Sequence, residues 1–378
     1  MRNIAIISSQ AFSLVNFRGP LIRDLVRAGA SVYALAPDFD DETRARTAAL
    51  GAKPVEYSLS RAGMNPLRDG ADVMRLRGVL RRLKVDLSLA YFIKPVIYGS
   101  IAAWSAGIPR RFSMIEGLGY VFTDTHQAGQ PLHRRLLRAT VSRIYRRALR
   151  LNEKVFFLND DDAAQFTRGG LVKTHQVARI DGIGVDLEHY TLAPPVVEPM
   201  TFLLLGRMLK EKGVHEFVRA AQKLRREFPQ LRFVLVGASD ANPGSIPESQ
   251  LRTWADAGWV EWAGQVDDVR SWMARASVFV LPSYREGLPR SSQEAMAMGR
   301  PVITTNAVGC RDTVADGING WQVPVGDVEA LAAAMRRFVN DPSLVASMGA
   351  QSRKIAEQRF DVHQINRKII SVLGFSHG

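Results

Sequence analysis

The sequence predicts an α/β protein of two doubly wound domains facing one another across a cleft, and three observations carry that expectation. Short β-branched runs alternate with helical runs along the 378 residues, the series starts afresh near residue 200, and three prolines in Ala193-Pro-Pro-Val-Val-Glu-Pro199 part the two series. The length exceeds what one hydrophobic core supports, and an apolar content of 46% suits folded domains.

In the first half the strand candidates are 3–9, 31–37, 53–59, 85–92, 110–117 and 154–160, with helices expected at 19–28, 40–50, 69–84, 96–106 and 131–150. The second half repeats the rhythm with strands at 201–207, 231–237, 259–264, 278–283, 300–305 and 321–325, and helices near 213–227, 248–257, 267–275 and 291–298. Strand, helix and strand at this spacing argue for parallel sheets covered on both faces. Prolines neither continue a helix nor sit in a central strand. The expected division is therefore 1–193 as a first domain, 200–360 as a second, and 361–378 as a terminal helix crossing back to the first.

Composition narrows the function. The single cysteine, Cys310, cannot form an internal disulfide and reads as a buried spectator thiol. No apolar run reaches the length of a spanning helix, and the N-terminal run is broken by Ser8-Ser9-Gln10, so a cytoplasmic location is expected. The net charge of +13 is uneven: residues 1–195 hold 28 Lys and Arg against 18 Asp and Glu, while residues 196–378 hold 22 against 19. The first half therefore faces something anionic. Its densest patch, residues 131–150, has seven arginines, no acid, and apolar residues at helical spacing. That is the pattern of a basic amphipathic helix lying on an anionic membrane surface, or of an ordinary surface helix with a solvated arginine face.

Two stretches carry the chemistry. In LLLGRMLKEKG a strand ends at Gly206, Arg207 and Lys212 follow, and Gly213 opens a helix. Two cations beside a helix N-terminus make a diphosphate site without a metal; a solvated loop of mutually screening Lys210, Glu211 and Lys212 is the plainer alternative. In EGLPRSSQE the strand 278–282 delivers Glu286 into the same region, and Glu294 falls in the first turn of the next helix. Carboxylates accept well from vicinal hydroxyls, so Glu294 suits a ribose and Glu286 a second sugar. Ser291 to Glu294 also reads as a capping box that would only hold the helix start.

GRMLKEKG followed by EGLPRSSQE resembles the Gly-Arg…Lys-Gly and Glu-x7-Glu motifs of glycosyltransferase family 4, retaining enzymes of two Rossmann-like domains known as the GT-B fold. SRAGMNPL (60–67), IEGLGYVF (115–122), LVGASDANPGS (235–245) and LPSYREGLP (281–289) are similar to stretches of bacterial enzymes that add N-acetylgalactosamine to undecaprenyl-diphosphate-linked bacillosamine. The resemblance implies that Arg207 and Lys212 hold the diphosphate of a UDP-sugar donor and Glu294 its ribose. It also implies that Glu286, with the backbone of Gly287 and Leu288, addresses the transferred sugar. The loop SLVNFRGP would bring Gly19 to the phosphates; from the residues alone Gly19 is a helix-start glycine. Many members carry a histidine after the fifth strand, where this chain has Glu116, which would orient the donor sugar or an acceptor hydroxyl, or else anchor the glycine-rich turn. His126 reads as a surface residue.

No metal or other cofactor is expected. Asp38-Phe39-Asp40 and Asp160-Asp161-Asp162 read as helix caps and acidic first turns, and no zinc motif occurs. The partners implied are a UDP-sugar, a polyprenyl-diphosphate-linked acceptor and an anionic membrane, placing the protein on the inner face of the cytoplasmic membrane. A UDP-sugar 2-epimerase of the same architecture would have no use for the arginine-rich helix. A nucleic-acid-binding protein would leave the acids at 286 and 294 unexplained and lacks aromatic residues interleaved with its arginines.

Overall fold

In a computed structural model that describes residues 2–59, 66–117, 142–240, 242 and 244–375, the chain divides into two compact units. One is Met1–Ile183 together with Val362–Gly378, the other Gly184–Asp361. Among the described residues the first unit holds seven parallel strands: β1 (Asn3–Ile7), β2 (Ser31–Ala36), β3 (Lys53–Glu56), β4 (Leu87–Tyr91), β5 (Arg110–Ile115), β6 (Lys154–Phe157) and β7 (Val177–Arg179). Their order is β3-β2-β1-β4-β5-β6-β7. The second holds six: β8 (Thr201–Leu205), β9 (Arg232–Val236), β10 (Glu261–Trp262), β11 (Val278–Leu281), β12 (Val302–Thr305) and β13 (Gly320–Val323), in the order β10-β9-β8-β11-β12-β13.

Helices cover both faces, so central strands such as β4, β11 and β12 are buried at every position and read as continuous rather than alternating apolar runs. Each unit has its own core. Phe202, Phe217, Phe233, Leu235 and Phe338 build the second, and Leu80, Tyr145, Phe157 and Phe166 contribute to the first. In both sheets the chain order reverses once, between β1 and β4 and between β8 and β11. Loops at the carboxyl ends beside such a reversal form a crevice, which is where doubly wound sheets take ligands.

Several expectations need correction. The first helix is Ala11–Arg27 rather than 19–28. Gly19-Pro20 looks like a helix start because proline favours the first turn, yet both residues lie inside the helix, whose earlier turns bury Ala11, Ser13, Leu14 and Arg18. Asp38 does cap a helix, but a different one from that expected: its Oδ1 accepts from Ala11 N at 2.7 Å. Asp40 caps Asp41–Ala49 through Thr43 N (2.8 Å), and Asn159 caps Asp160–Arg168 through Asp162 N (2.7 Å). Strand β7 and the helices Val328–Asn340 and Ser343–Ile355 carried no expectation. Of the basic stretch 131–150, residues 142–150 are helical, while 131–141, like His126, lie outside the described residues.

The boundary falls at residue 183 rather than at the prolines, because residues 184–194 are tied into the second unit. Val185 bridges Asp361, and Arg353 Nη1 donates to Tyr190 O (3.1 Å) and Ala297 O (2.7 Å). Arg300 is wholly buried and donates to Ala276 O (2.9 Å), Met298 O (3.2 Å), and Ala193 O and Pro194 O (both 2.6 Å). Burial pushes its pKa down to about 10, leaving it charged at neutral pH. The terminal helix Val362–Val372 buries Ile365, Ile369 and Ile370 in the first unit, and its Asn366 Nδ2 donates to Asp24 Oδ2 on the first helix (2.7 Å).

Arg300→Met keeps the apolar stem but takes the guanidinium from four carbonyls, those of Ala276 and Met298 among buried surroundings and those of Ala193 and Pro194 in partly buried ones. A loss of at least about 3 kcal/mol is expected in the stability of the second unit, read by chemical denaturation with tryptophan fluorescence.

Candidate functional site

The site of the second unit is built by two loops pressed together at the reversal between β8 and β11. After β8 the chain runs through Arg207, makes a 3₁₀ turn at Lys210–Lys212, and enters the helix Val214–Glu227 from Gly213, whose φ is 72°. A Cβ on Gly213 would stand 2.1 Å from Pro282 O, so no other residue fits. Tyr284 N donates to Glu211 O at 2.9 Å, closing the same seam. The far side of the second loop is fixed likewise: Glu286 N donates to Val308 O (3.0 Å), and a Cβ on Gly309, φ 75°, would lie 2.3 Å from Glu286 O.

This scaffold places Lys212 Nζ 2.5 Å from Glu286 Oε1, with both side chains mostly buried. Arg207 is 63% exposed and pairs with Asp240 Oδ2 (2.9 Å) on the loop after β9. Gly287 and Leu288 lead into the helix Arg290–Ala297; Leu288 is buried, and its carbonyl accepts from Gln293 Nε2 at 3.4 Å. The capping box does not form, because the helix starts after Pro289 and its cap makes no side-chain bond. Glu294 is 6% exposed, and its Oε1 instead accepts from Tyr190 OH and is paired with Arg290 Nε, each at 2.8 Å. Burial, then the Glu294 charge, holds the Tyr190 phenol well above its usual range, so it stays a donor.

Ser283 Oγ, Ser292 Oγ and Gln293 Oε1, all buried around this loop, lack a hydrogen-bond partner among the described residues, which marks a place where polar groups remain to be satisfied. Next to Asp240, Ser239, Trp262, Gly264, Gln265 and Arg252 border a hollow of about 350 Å³. Neither Asp240 nor Tyr190 stands out in the sequence: an acid three residues past the glycine that follows β9 and a tyrosine before a proline segment carry no motif.

In the first unit Gly19 does not occupy a loop. It is buried in mid-helix, where an added Cβ would meet only Leu50 methyls at 3.6 Å, so the local surroundings are those of a packing glycine rather than of a loop glycine. The loop after β1 is Ser8-Ser9-Gln10. Glu116, directly after β5, is paired with Arg18, a residue only 2% exposed that the sequence gave no reason to select.

Cys310 lies behind the second loop, with Sγ 3.8 Å from Ser283 O; burial, and then the Glu286 charge, pushes its thiol up to about 12. Native protein at pH 7.5 is therefore expected to resist a thiol-selective maleimide, with modification appearing only on unfolding, as read by intact mass.

Residues 199–341 match the family described as glycosyl transferases group 1. The chain is 28% identical over 371 residues, 94% of both chains, to the N,N'-diacetylbacillosaminyl-diphospho-undecaprenol alpha-1,3-N-acetylgalactosaminyltransferase of Campylobacter jejuni. It is 34% identical over 156 residues, 41% of each chain, to the capsular polysaccharide biosynthesis glycosyltransferase CapM of Staphylococcus aureus. Among solved structures it resembles a sucrose-phosphate synthase from Thermosynechococcus elongatus (TM-score 0.78, 20% identity, 98% of each chain). It also resembles Anabaena HepE in complex with UDP and glucose (TM-score 0.77, 20% identity, 99% of each chain).

Proposed function

We propose that this chain, a group 1 glycosyltransferase of GT-B fold acting in glycan or polysaccharide biosynthesis, moves an N-acetylhexosamine from a UDP-sugar to a polyprenyl-diphosphate-linked saccharide, with N-acetylgalactosamine as the favoured sugar. The observation that carries it is the pinned set of Arg207, Lys212, Glu286 and Glu294 beside one strand reversal. The similarity to the Campylobacter enzyme supports the acceptor class, and the UDP complex of HepE supports the donor.

In this reading the donor diphosphate draws Arg207 and Lys212 away from their carboxylates, since a diphosphate offers more charge and more acceptor oxygens than one carboxylate. Glu286 is then left to accept from hydroxyls of the transferred sugar, and the second oxygen of Glu294 to accept from the ribose. As the sugar–phosphate bond breaks, charge gathers on the departing diphosphate, and the two cations stabilise it without a metal. The acceptor oxygen attacks from the same face, its proton passing to the leaving phosphate oxygen, so configuration is retained.

The first test offers the protein a panel of UDP-sugars, UDP-N-acetylgalactosamine foremost, with undecaprenyl-diphosphate-linked mono- and disaccharides, following UDP release and the mass of the lipid. One donor should extend the lipid, and Arg207→Ala should lower kcat by about 10²–10³-fold at saturating donor. Near-normal turnover by that variant would overturn the assignment of Arg207.

A membrane-surface location is supported by the helix Pro66–Arg82. Its two acids turn inward, Asp69 at 3% and Asp72 at 1% exposure, while Arg68, Arg75, Arg81 and Arg82 are exposed. Leu67 (88%) and Met74 (56%) project among them, and Arg77 and Arg81 reach Ser105 O and Ala106 O beside the exposed Trp104. The helix 142–150 adds exposed Arg143, Arg146, Arg147 and Arg150. Cations around apolar tips suit an anionic lipid surface, and no helix among the described residues is long and apolar enough to cross a membrane. Vesicles of phosphatidylglycerol and phosphatidylcholine should sediment the protein and pure phosphatidylcholine should not, with binding lost at high salt. Salt-sensitive retention on nucleic acid with no vesicle binding would reverse this choice of partner.

A further inference from the structure

The first unit contains a buried ion pair that the donor chemistry of the second does not explain. Arg18 lies in the middle of the helix Ala11–Arg27, and its guanidinium sits 4.4 Å from the centroid of the Tyr91 ring. It donates to Phe17 O (3.1 Å) and Met114 Sδ (3.4 Å), and its Nη2 is paired with Glu116 Oε1. Arginine is 2% exposed and glutamate 22%, so the cation is enclosed and the carboxylate keeps an open side.

Stability is a poor reason for such a pair. A buried ion pair gains little over apolar residues of the same volume, because desolvation offsets the attraction. What the pair does is fix direction. Glutamate has three rotors, and a rigid guanidinium fork holds its carboxylate in one orientation.

The surroundings of Arg18 are fixed in turn. Tyr91 OH lies 2.7 Å from Ser13 Oγ, which lies 2.8 Å from Ser8 Oγ, and Tyr57 OH donates to Ser8 O at 2.8 Å. Phe92, its ring 4.8 Å from that of Tyr91, has a φ of 68°, a strained setting for a bulky residue and one that gathers at functional sites. Ser8 follows β1, Phe92 follows β4 and Glu116 follows β5, so the whole chain of contacts stands at the carboxyl edge beside the reversal between β1 and β4.

We infer that Arg18 is a positioning residue, which locks the Glu116 carboxylate so that its second oxygen accepts a hydrogen bond from a sugar hydroxyl during transfer. The inference rests on the transferase reading above. The hydroxyl belongs either to the donor sugar or to the acceptor saccharide; an ionised carboxylate is a strong acceptor for both. Arg18 itself touches neither.

The test is a double-mutant cycle on the full chain: Arg18→Met, Arg18→Lys, Glu116→Gln, and Arg18→Met with Glu116→Gln. UDP affinity, measured calorimetrically in each variant, reports on the second unit and guards against misfolding. Arg18→Met and Glu116→Gln should each lower kcat by about tenfold or more with UDP affinity unchanged, and Arg18→Lys should recover part of the loss. The double variant should be no worse than Glu116→Gln alone, because the influence of Arg18 runs through that carboxylate. A raised KM for the UDP-sugar alone assigns the hydroxyl to the donor, and a raised KM for the lipid-linked saccharide alone assigns it to the acceptor. Losses that multiply, or Arg18→Met within about twofold of the wild type, would overturn the inference while leaving the transferase reading intact. A wild type that moves no sugar from any UDP-sugar overturns the transferase reading, and this inference with it.

Discussion

The seam between Gly213 and Pro282 is the constraint on which the site of the second unit depends. Where a Cβ would stand there is a carbonyl oxygen at 2.1 Å, so the loop leaving β8 and the loop leaving β11 touch through backbone alone. Backbone contact leaves little room for adjustment. Lys212 precedes this seam directly and Glu286 lies four residues beyond Pro282, so the register of the two loops brings the two side chains within 2.5 Å of each other. Gly309 repeats the device behind Glu286. With both loops fixed through backbone, only the side chains need rotate when, on the proposed reading, a diphosphate replaces Glu286 as the partner of Lys212.

The two units solve the same topological problem with opposite electrostatics. At the β8/β11 reversal Arg207 is more exposed than buried while Lys212 is one-fifth exposed, so the cations can reach an incoming phosphate. At the β1/β4 reversal the cation is enclosed beneath Tyr91 and only the carboxylate has an open side. The first arrangement suits binding a polyanion that comes and goes. The second suits presenting one fixed acceptor, because Arg18 can leave Glu116 only by breaking packing on every side.

Much of this was legible in the sequence, and the gaps have physical causes. Both parallel sheets could be read, since fully buried strands leave continuous apolar runs such as VFVL and a strand-helix rhythm that few other folds produce. Arg207, Lys212, Glu286 and Glu294 could be singled out because each follows the carboxyl end of a recognisable strand. Gly19 misled because Gly-Pro reads as a helix start, and the burial of Ser13 and Arg18 that extends the helix backwards comes from tertiary contacts with Tyr91 and Glu116. For Glu294 it is the alternative that fails: S-x-x-E is a local capping pattern, and it loses to Tyr190, a partner 104 residues away. Arg18 itself was invisible, because an arginine in a basic half of a basic chain reads as surface charge until its surroundings are known.

The displaced domain boundary bears on the donor site as well. Proline punctuation puts residues 184–193 at the end of the first domain, yet Arg300 holds this segment to the second unit at Ala193 and Pro194 and Arg353 holds it at Tyr190 itself. A phenol held above its usual range by burial and by the neighbouring carboxylate stays protonated at any physiological pH. Its hydroxyl can therefore only donate to Glu294, occupying Oε1 in company with Arg290 and leaving the other oxygen to accept. On the proposed reading, that remaining oxygen takes the ribose hydroxyls. On the same reading, chain that looks like a proline-rich connector forms part of the wall facing the nucleotide, and a boundary drawn at the prolines would cut through that wall.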